Sequence, residues 1–391
     1  MEASTLAHDA SFSLLSPIIV GLAAARRAGG LSLRFSLLLL CPTAVAFHAQ
    51  VGTASSPRAH RLVAPGRQRR LSTTPQMAAA GSSGLPFVPP PALTALFVGS
   101  GSDGLNEPAV AQAILGLVPK LPADVAVLYL GTATYDLPGP RERQTARFIE
   151  AGCRVRGLEV VDVAPPRDQL ASAVEAADVI IVSGGNTLFA VSRWVRLGLE
   201  PMLRAAMLRG AVLTGGSAGA ICWFQGGHSD SMDPDTYKAH MLADATRDKG
   251  GDESSAAPAE AHEKRLWEYI RVDGLGFLPG LVCPHHDKVQ SNGLLRASDF
   301  DDMLLRHSTE IGIGIDHWAA LQICGGRFKV LSLADKEGSV LPDGSFSPER
   351  KGTPGVWIKE VRKNAVHSRL CPPEGAVQDL LRVPVPCSPC V

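Results

Sequence analysis

A serine flanked by small residues is the first group in this sequence that could do chemistry. Residues 215–219 read Gly-Gly-Ser-Ala-Gly, which matches the G-x-S-x-G nucleophile elbow. In that motif a sharp strand-to-helix turn presents the serine hydroxyl, and small neighbours are needed because bulkier side chains would clash. A short apolar run precedes Ser217 and a helical pattern follows it, so we predict Ser217 as a nucleophile and the amide of Ala218 as an oxyanion donor. Taken alone, the motif also fits a tight turn without a catalytic role.

A second turn that contains glycines follows another apolar run. Residues 183–187 read Ser-Gly-Gly-Asn-Thr. Gly184 and Gly185 allow a positive φ and a close approach of backbone to substrate, so their amides could complete an oxyanion hole. Asn186 is suited to cap the helix that follows. A structural turn with a capping residue is the alternative.

A catalytic serine needs a base, and histidine is the usual one because its pKa lies near neutral pH. Among the eleven histidines, His285 is best placed, because it follows a predicted strand and ligands bind at the carboxyl ends of parallel strands. The side chain of the adjacent His286 would point to the opposite side of an extended segment. His228 is a second candidate base. A histidine at a strand end can also be purely structural.

The elements that would position these residues alternate between short apolar runs and stretches of helical periodicity, which is typical of βαβ units. The apolar runs are nearly continuous, as expected for strands of a sheet that is covered on both faces. We therefore predict an α/β fold, a mostly parallel sheet flanked by helices on both faces. The predicted strands are 94–98, 125–130, 155–161, 179–182, 211–213, 281–283, 311–315, 319–323 and 328–333, and the predicted helices are 107–117, 141–151, 167–177, 187–197, 201–208 and 296–306, with a further helix from Ser217.

Four segments in a fixed order together resemble the peptidase E family of serine peptidases. They are Gly-Gly-Asn-Thr at 184–187, Gly-x-Ser-Ala-Gly-Ala at 215–220, Cys-Pro-His at 283–285 and Gly-Ile-Gly-Ile-Asp at 312–316. That family comprises aspartyl dipeptidases and, more distantly, cyanophycinases. The resemblance spans about residues 94–333 and implies a class I glutamine amidotransferase-like fold. This is a flavodoxin-like three-layer sandwich, here with a serine in place of the usual cysteine.

The resemblance also implies roles for individual residues. By position, Ser217 is the nucleophile and His285 the general base. Asp230 falls near an acid that is important in the family, and Arg296 matches an arginine that would bind the Asp side chain of a substrate, a task suited to a guanidinium. The implied substrate is a short peptide with an N-terminal Asp, and neither a metal nor an organic cofactor is implied. The candidate oxyanion and substrate-binding residues are Gly184, Gly185, Asn186, Ala218, Asp230 and Arg296.

The sequence departs from the family pattern at the third member of the triad. The family usually has Glu or Asp one position after Asp316, and this chain has His317 there. Asp316, His317 or a different acid would therefore orient His285. A neutral histidine stabilises an imidazolium less well than a carboxylate, and loss of the triad acid costs about 10⁴ in kcat in chymotrypsin-type enzymes. An inactive binding protein on the same fold is thus one alternative function, and a cyanophycinase-like or other amide hydrolase is another.

The composition argues against several other classes of protein. The 391 residues carry 38 Lys+Arg and 38 Asp+Glu, and aromatic residues make up 5%, so a nucleic-acid-binding protein is not indicated. No apolar run reaches the roughly 18 residues of a membrane-spanning helix. Residues 99–104, after the first strand, lack the full G-x-G-x-x-G of a dinucleotide site. The sequence leaves a homo-oligomer open.

An Arg- and Ser-rich, acid-poor segment opens the chain and is typical of an organellar leader. An apolar run at 35–47 followed by a basic segment at 55–70 favours a plastid, with the mitochondrion and the secretory pathway as alternatives. Cys222 and Cys283 are predicted to pack in the core, and Cys387 and Cys390 lack the second pair that a zinc site would need. The predicted organisation is a disordered or cleaved leader at 1–77, a linker at 78–92, a hydrolase domain at 93–363 with an exposed insertion at about 243–264, and a tail at 364–391.

Overall fold

Short strands and helices alternate through the first half of the folded region, as the apolar runs predict. A computed structural model describes residues 87–236 and 267–381. The predicted leader, most of the predicted linker, the predicted insertion at 243–264 and the pair Cys387 and Cys390 lie outside the described residues. Among the described residues, none of the helices has both the length and the apolar character of a membrane-spanning segment.

The described strands and helices have the following bounds. The strands are β1 (Thr94–Val98), β2 (Ala126–Leu130), β3 (Arg154–Gly157), β4 (Val179–Val182), β5 (Val212–Gly216), β6 (Phe224–Ser229), β7 (Ile270–Asp273), β8 (Leu278–Cys283), β9 (Gly312–Ile315), β10 (Ala319–Cys324), β11 (Arg327–Ser332), β12 (Val356–Arg362), β13 (Ala365–Leu370) and β14 (Glu374–Ala376). The helices are α1 (Ser102–Leu105), α2 (Pro108–Leu115), α3 (Pro138–Glu150), α4 (Arg167–Glu175), α5 (Thr187–Leu197), α6 (Glu200–Arg209), α7 (Ala218–Ile221), α8 (Arg296–Arg306) and α9 (Val377–Leu380).

These strands form two mixed sheets. The first has the order β14-β11-β10-β1-β5-β4-β2-β3, with β1, β5, β4, β2 and β3 parallel and the other three antiparallel. The second has the order β13-β12-β9-β8-β6-β7, and only β6, β8 and β9 are parallel in it. The predicted α/β class is confirmed, and the strands expected in one sheet are divided between two. The division was not predicted because β6, with two central glycines, lacks the composition of a strand.

Alternate side chains of β1 enter two different hydrophobic clusters, as a sheet covered on both faces requires. Phe97 joins the cluster that includes Trp194 of α5, whereas Val98 joins the cluster that includes Ile114 of α2 and Phe148 of α3. Burial of each such large side chain contributes about 1.5–3 kcal/mol. Strands β8, β9 and β12 of the second sheet also contribute to the cluster of Phe97, and α8 covers the other face of that sheet. Helices therefore pack on both sides of β1 and its neighbours.

Regular structure continues past residue 363, where the predicted domain ends. Strand β13 pairs with β12 at the edge of the second sheet, and β14 pairs with β11 at the edge of the first. The first part of the predicted tail thus completes both sheets.

Candidate active site

Ser217 lies in the turn between β5 and α7, in a backbone conformation that few residues other than glycine adopt. Its φ is 56° and its ψ is −121°. Such a conformation costs about 1–3 kcal/mol and persists only where the surroundings enforce it. Here the end of β1 does so, since the amide of Ser217 donates to the carbonyl of Val98 at 3.2 Å. The residue keeps 7% of its surface exposed, and the turn has the geometry of a nucleophile elbow.

Close backbone contacts require glycines around Ser217. A Cβ at Gly216 would lie 1.9 Å from the carbonyl oxygen of Ser100, and a Cβ at Gly219 would lie 2.1 Å from that of Val182. Real side chains do not tolerate such distances, so the main chain would have to move. The small residues of the motif therefore allow the turn to approach the ends of β1 and β4.

Two further glycines pass beside Ser217. A Cβ at Gly184 would lie 3.4 Å from the Cβ of Ser217, and Gly185 has a φ of 110°. The amides of Gly185 and Ala218 have no hydrogen-bond acceptor among the described residues, as oxyanion donors require. Asn186 caps α5, because its side chain accepts from the amide of Phe189 at 3.0 Å.

His285 follows β8 and reaches the same end of β1 as Ser217. Its amide donates to the carbonyl of Gly99 at 3.0 Å, one residue beyond the Val98 carbonyl that holds Ser217. Its φ of 48° is in the left-handed region, which again shows a position fixed by the surroundings. The two sheets thus bring a serine and a histidine to consecutive carbonyls at the end of β1.

The ring of His285 contacts the ring of His317. The two Nδ1 atoms are 2.8 Å apart, so one donates a hydrogen bond to the other. His317 is also held by its backbone, since its amide donates to Oδ1 of Asp287 at 2.7 Å. Arg350 in turn donates to Oδ2 of Asp287 at 2.7 Å. Of the alternatives that the sequence leaves open, His317 is the residue that touches His285.

Asp316 points away from His285 and joins a different network. Its Oδ2 accepts from the amide and hydroxyl of Ser339, at 3.0 and 2.6 Å, and from the amide of Gly355 at 3.0 Å. Its Oδ1 lies 3.3 Å from Nδ1 of His286. The expectation that Asp316 orients His285 is wrong for this structure, because the carboxylate of Asp316 is held in this separate network and it is the ring of His317 that contacts His285. Burial raises the pKa of Asp316 to about 6, although the hydrogen bonds from Ser339 and Gly355 act in the other direction.

An acid that the sequence analysis did not identify completes this group of residues. Oδ2 of Asp103, in the first turn of α1, lies 3.1 Å from Nε2 of His317. Its side chain is 62% exposed, and that of His317 is 10% exposed. Asp103 belongs to the Gly-Ser-Gly-Ser-Asp-Gly segment after β1, and no local signal links it to a histidine 214 positions away.

Both rings of the histidine pair are neutral near pH 7. Burial, with the positive charge of Arg296 and the neighbouring His317, holds the pKa of His285 well below its ordinary value. Burial and then the charge of Lys288 lower the pKa of His317 to about 4, against the opposing effect of Asp103. A neutral imidazole is the form in which histidine accepts a proton from a hydroxyl.

Arg296 and Asp230 form a buried ion pair beside this group. Nη1 of Arg296 lies 3.0 Å from Oδ2 of Asp230 and donates to Oε1 of Gln290 at 3.0 Å, and Nη2 donates to the carbonyl of His228 at 2.6 Å. The guanidinium also lies over the ring of Tyr269, 5.0 Å from its centre. Its Nε has no acceptor among the described residues. The structure therefore shows Arg296 bound to a carboxylate of the protein itself.

The other sequence-derived candidates have structural positions. The ring of His228 is fully buried, its Nε2 lies 2.8 Å from Asp299, and burial lowers its pKa to about 4. Cys222 and Cys283 are buried, as predicted, and burial raises the pKa of the Cys283 thiol to about 12. In residues 87–236 and 267–381, no three His, Cys, Asp or Glu side chains converge as ligands of a metal would.

Part of the chain matches a known family of peptidases. The family model of peptidase family S51 matches residues 96–246, which include Ser217. The chain is 34% identical over 318 residues to a protein of Trypanosoma brucei brucei named G2/mitotic-specific cyclin-1, an alignment that covers 75% of this chain and 89% of that protein. It is 32% identical over 161 residues to the uncharacterized peptidase YgaJ of Bacillus subtilis (strain 168), with 41% of this chain and 54% of that protein covered.

Two solved structures resemble the chain more distantly. A peptidase E protein of Listeria monocytogenes EGD-e has a TM-score of 0.41 at 16% identity, and the match covers 62% of this chain and 99% of that one. A peptidase of an acI-B1 actinobacterium has a TM-score of 0.45 at 17% identity, with 73% and 96% covered. The cell-cycle name of the trypanosome protein is not applied to this chain, because the family model and the Bacillus relative both describe peptidases. The chain belongs to peptidase family S51 and is a serine peptidase.

Proposed function

We propose that this chain is a serine exopeptidase that hydrolyses the bond after an N-terminal Asp in dipeptides and short peptides. One observation carries the proposal: the strained Ser217 and the half-buried His285 are held by consecutive carbonyls, those of Val98 and Gly99. A hydroxyl on a sharp turn and a neutral imidazole beside it are the two groups that nucleophilic acyl transfer needs.

The proposed reaction has two steps. The hydroxyl of Ser217 attacks the carbonyl carbon of the N-terminal residue while Nε2 of His285 takes its proton. The amides of Gly185 and Ala218 hold the oxyanion of the tetrahedral intermediate, and each such donor contributes about 10²–10³ in kcat. The intermediate collapses when His285 gives its proton to the leaving amine, which leaves an acyl ester on Ser217. A water molecule, deprotonated by His285, then releases the acid and restores the serine.

The preference for Asp rests on Arg296. Its charge lies close enough to His285 to lower the pKa of that ring. It already binds the carboxylate of Asp230, and its Nε–H lacks an acceptor among the described residues. The guanidinium is fully buried, so a substrate carboxylate would take the place of the Asp230 carboxylate and gain charge-assisted hydrogen bonds. An uncharged side chain would gain none of them.

Hydrolysis of matched dipeptides by the full-length protein tests this function. We expect release of Asp from Asp-Ala, at least tenfold slower turnover of Asn-Ala, and no turnover of either by Ser217→Ala. Preferred cleavage of a β-Asp-Arg dipeptide would instead favour the cyanophycinase-like alternative. A folded protein that cleaves none of these substrates would contradict the proposed function.

A further inference from the structure

We propose that Asp103 is the terminal acid of the catalytic group in this chain, a positioning residue that acts on His285 through His317. The inference rests on the proposed function, because it assigns the acid that the Ser217 and His285 pair requires. The family position for that acid holds His317, and Asp316 is turned into another network. Asp103 is the carboxylate that bonds to the ring in contact with His285.

The contact between the two histidines fixes how their protons are arranged. Each neutral imidazole carries one N–H and one lone pair. With the Nδ1 atoms of His285 and His317 at 2.8 Å, one Nδ1 carries the hydrogen and the other accepts it. There are therefore two arrangements, and they differ in which nitrogen of His285 remains free to take a proton.

Asp103 selects between these two arrangements. An ionised carboxylate only accepts hydrogen bonds, so the Nε2 of His317 at 3.1 Å must carry a hydrogen. Nδ1 of His317 is then an acceptor, and Nδ1 of His285 must be the donor. This leaves the lone pair of His285 on Nε2, the nitrogen that a general base presents to a serine. The opposite arrangement would put a hydrogen there and disable the base.

The local structure holds each member of the group in place. Asp103 follows Gly99, whose carbonyl binds His285, and Gly101, where a Cβ would lie 3.8 Å from that of Ser217. His317 is fixed at its amide by Asp287, and its ring packs edge-on against Trp318, with centres 4.5 Å apart. One loop after β1 thus touches the serine and the histidine and supplies the acid.

The exposure of Asp103 makes the proposal testable without loss of the fold. Its side chain is 62% exposed, so replacement leaves no unpaired charge in the core. An Asn at this position can turn its NH₂ toward His317 and favour the wrong arrangement. We expect Asp103→Asn to lower kcat for Asp-Ala by about tenfold to a hundredfold, with KM little changed. This is less than the ~10⁴ lost when a buried triad acid is replaced. Asp103→Glu keeps the charge. Its log kcat should lie at least halfway from that of Asp103→Asn back to that of the wild type.

A second variant, His317→Glu, tests whether Asp103 acts on His285 through the ring of His317, as a relay, or through a general effect of the loop after β1. In His317→Glu, a carboxylate can accept directly from Nδ1 of His285. Asp103→Asn should then have no further effect on kcat. A tenfold or larger loss in that background as well would overturn the relay, and so would a wild-type kcat for Asp103→Asn alone.

A readout independent of hydrolysis keeps the two proposals distinguishable. ¹⁵N spectra of protein labelled at its histidines report which ring nitrogen carries the hydrogen. We expect a protonated Nδ1 and an unprotonated Nε2 for His285 in the wild type, and loss of that pattern in Asp103→Asn. If Asp-Ala is not cleaved but the spectra change in this way, the proposed substrate fails and the role of Asp103 stands. Identical spectra for the two proteins would overturn the role of Asp103 whatever the substrate.

Discussion

Ser217 combines backbone strain with an unengaged hydroxyl. Its φ and ψ of 56° and −121° favour glycine, yet its hydroxyl makes no capping hydrogen bond to α7. The contacts of the hydroxyl therefore do not offset the strain. The strain persists because the turn presents the nucleophilic hydroxyl, and backbone strain in proteins clusters at functional sites.

Replacement of Ser217 by glycine should therefore make the protein more stable. Ser217→Ala keeps the strained turn, whereas Ser217→Gly relieves it. We expect Ser217→Gly to exceed Ser217→Ala in stability by about 1 kcal/mol, since a relief of about 1–3 kcal/mol is partly offset by the chain entropy of glycine. Urea unfolding of the two inactive proteins measures the difference. Equal midpoints would contradict stored strain at this residue.

The protonation of His285 leads to a second prediction at the residue scale. Because burial and Arg296 hold the pKa of His285 well below its ordinary value, the base stays neutral in mildly acidic solution. The acid limb of kcat/KM, which reports the free enzyme, should thus lie below the pH of about 6.5 expected for an unperturbed histidine. In His317→Glu a neighbouring carboxylate should raise the pKa and move that limb to higher pH. An acid limb at pH 6.5 or above in the wild type would contradict this assignment.

At the scale of elements, the turn between β9 and β10 contains two adjacent residues with different roles, Asp316 and His317. Asp316 ties the turn to Ser339 and Gly355, and Ser339 also accepts from the indole of Trp357 at 2.8 Å. His317 faces the opposite way, toward His285 and Asp103. The turn therefore separates a structural side chain, that of Asp316, from one that contacts the proposed base, that of His317.

Substitutions at these two positions should have opposite effects. Asp316→Asn places an NH₂ among backbone and hydroxyl donors, so we expect a loss of about 2–3 kcal/mol in unfolding free energy with kcat of the folded fraction little changed. His317→Gln should lower kcat at least tenfold and change stability less. Unfolding curves and steady-state kinetics on both proteins give the comparison. A large loss of kcat in stable, folded Asp316→Asn would return Asp316 to the catalytic group.

Four buried or half-buried histidines with lowered pKa values lie within the described residues, and they link the stability of the protein to pH. They are His228, His285, His286 and His317, and burial is the main cause for each. The unfolded chain takes up protons on these rings below pH 6.5 while the folded protein does not, so the free energy of unfolding falls as the pH falls. Asp136, Asp233 and Asp316 act in the other direction, because burial raises their pKa values, but their opposing contribution is smaller than that of the four rings.

Stability should consequently rise from pH 4.5 to pH 6.5 by several kcal/mol and then level off. Urea midpoints at intervals of half a pH unit measure this dependence. His228→Gln removes one buried ring and should reduce the slope, whereas His367→Gln, at an exposed position, serves as the control and should leave it unchanged. A midpoint that does not depend on pH in this range would contradict the burial of neutral histidines.

How much of the fold and of the candidate site could be predicted from the sequence depends on the distance along the chain between interacting residues. The α/β class and the turn around Ser217 depend on local patterns of about five residues, so the sequence was sufficient for them. The separation of strands into two sheets depends on pairings such as β6 with β8, between which a long segment intervenes. The bond between His317 and Asp103 spans 214 positions. No spacing rule covers contacts of that kind, so the acid was left open.

Covalent labelling of the full-length protein by a fluorophosphonate tests most directly whether His285 activates Ser217. Mass spectrometry of the intact protein and of its peptides locates the adduct and gives its rate. We predict one adduct on Ser217, none in Ser217→Ala, and a rate at least about a hundredfold lower in folded His285→Ala, the range expected for loss of a general base. Labelling at another residue, or an unchanged rate in His285→Ala, would contradict the account.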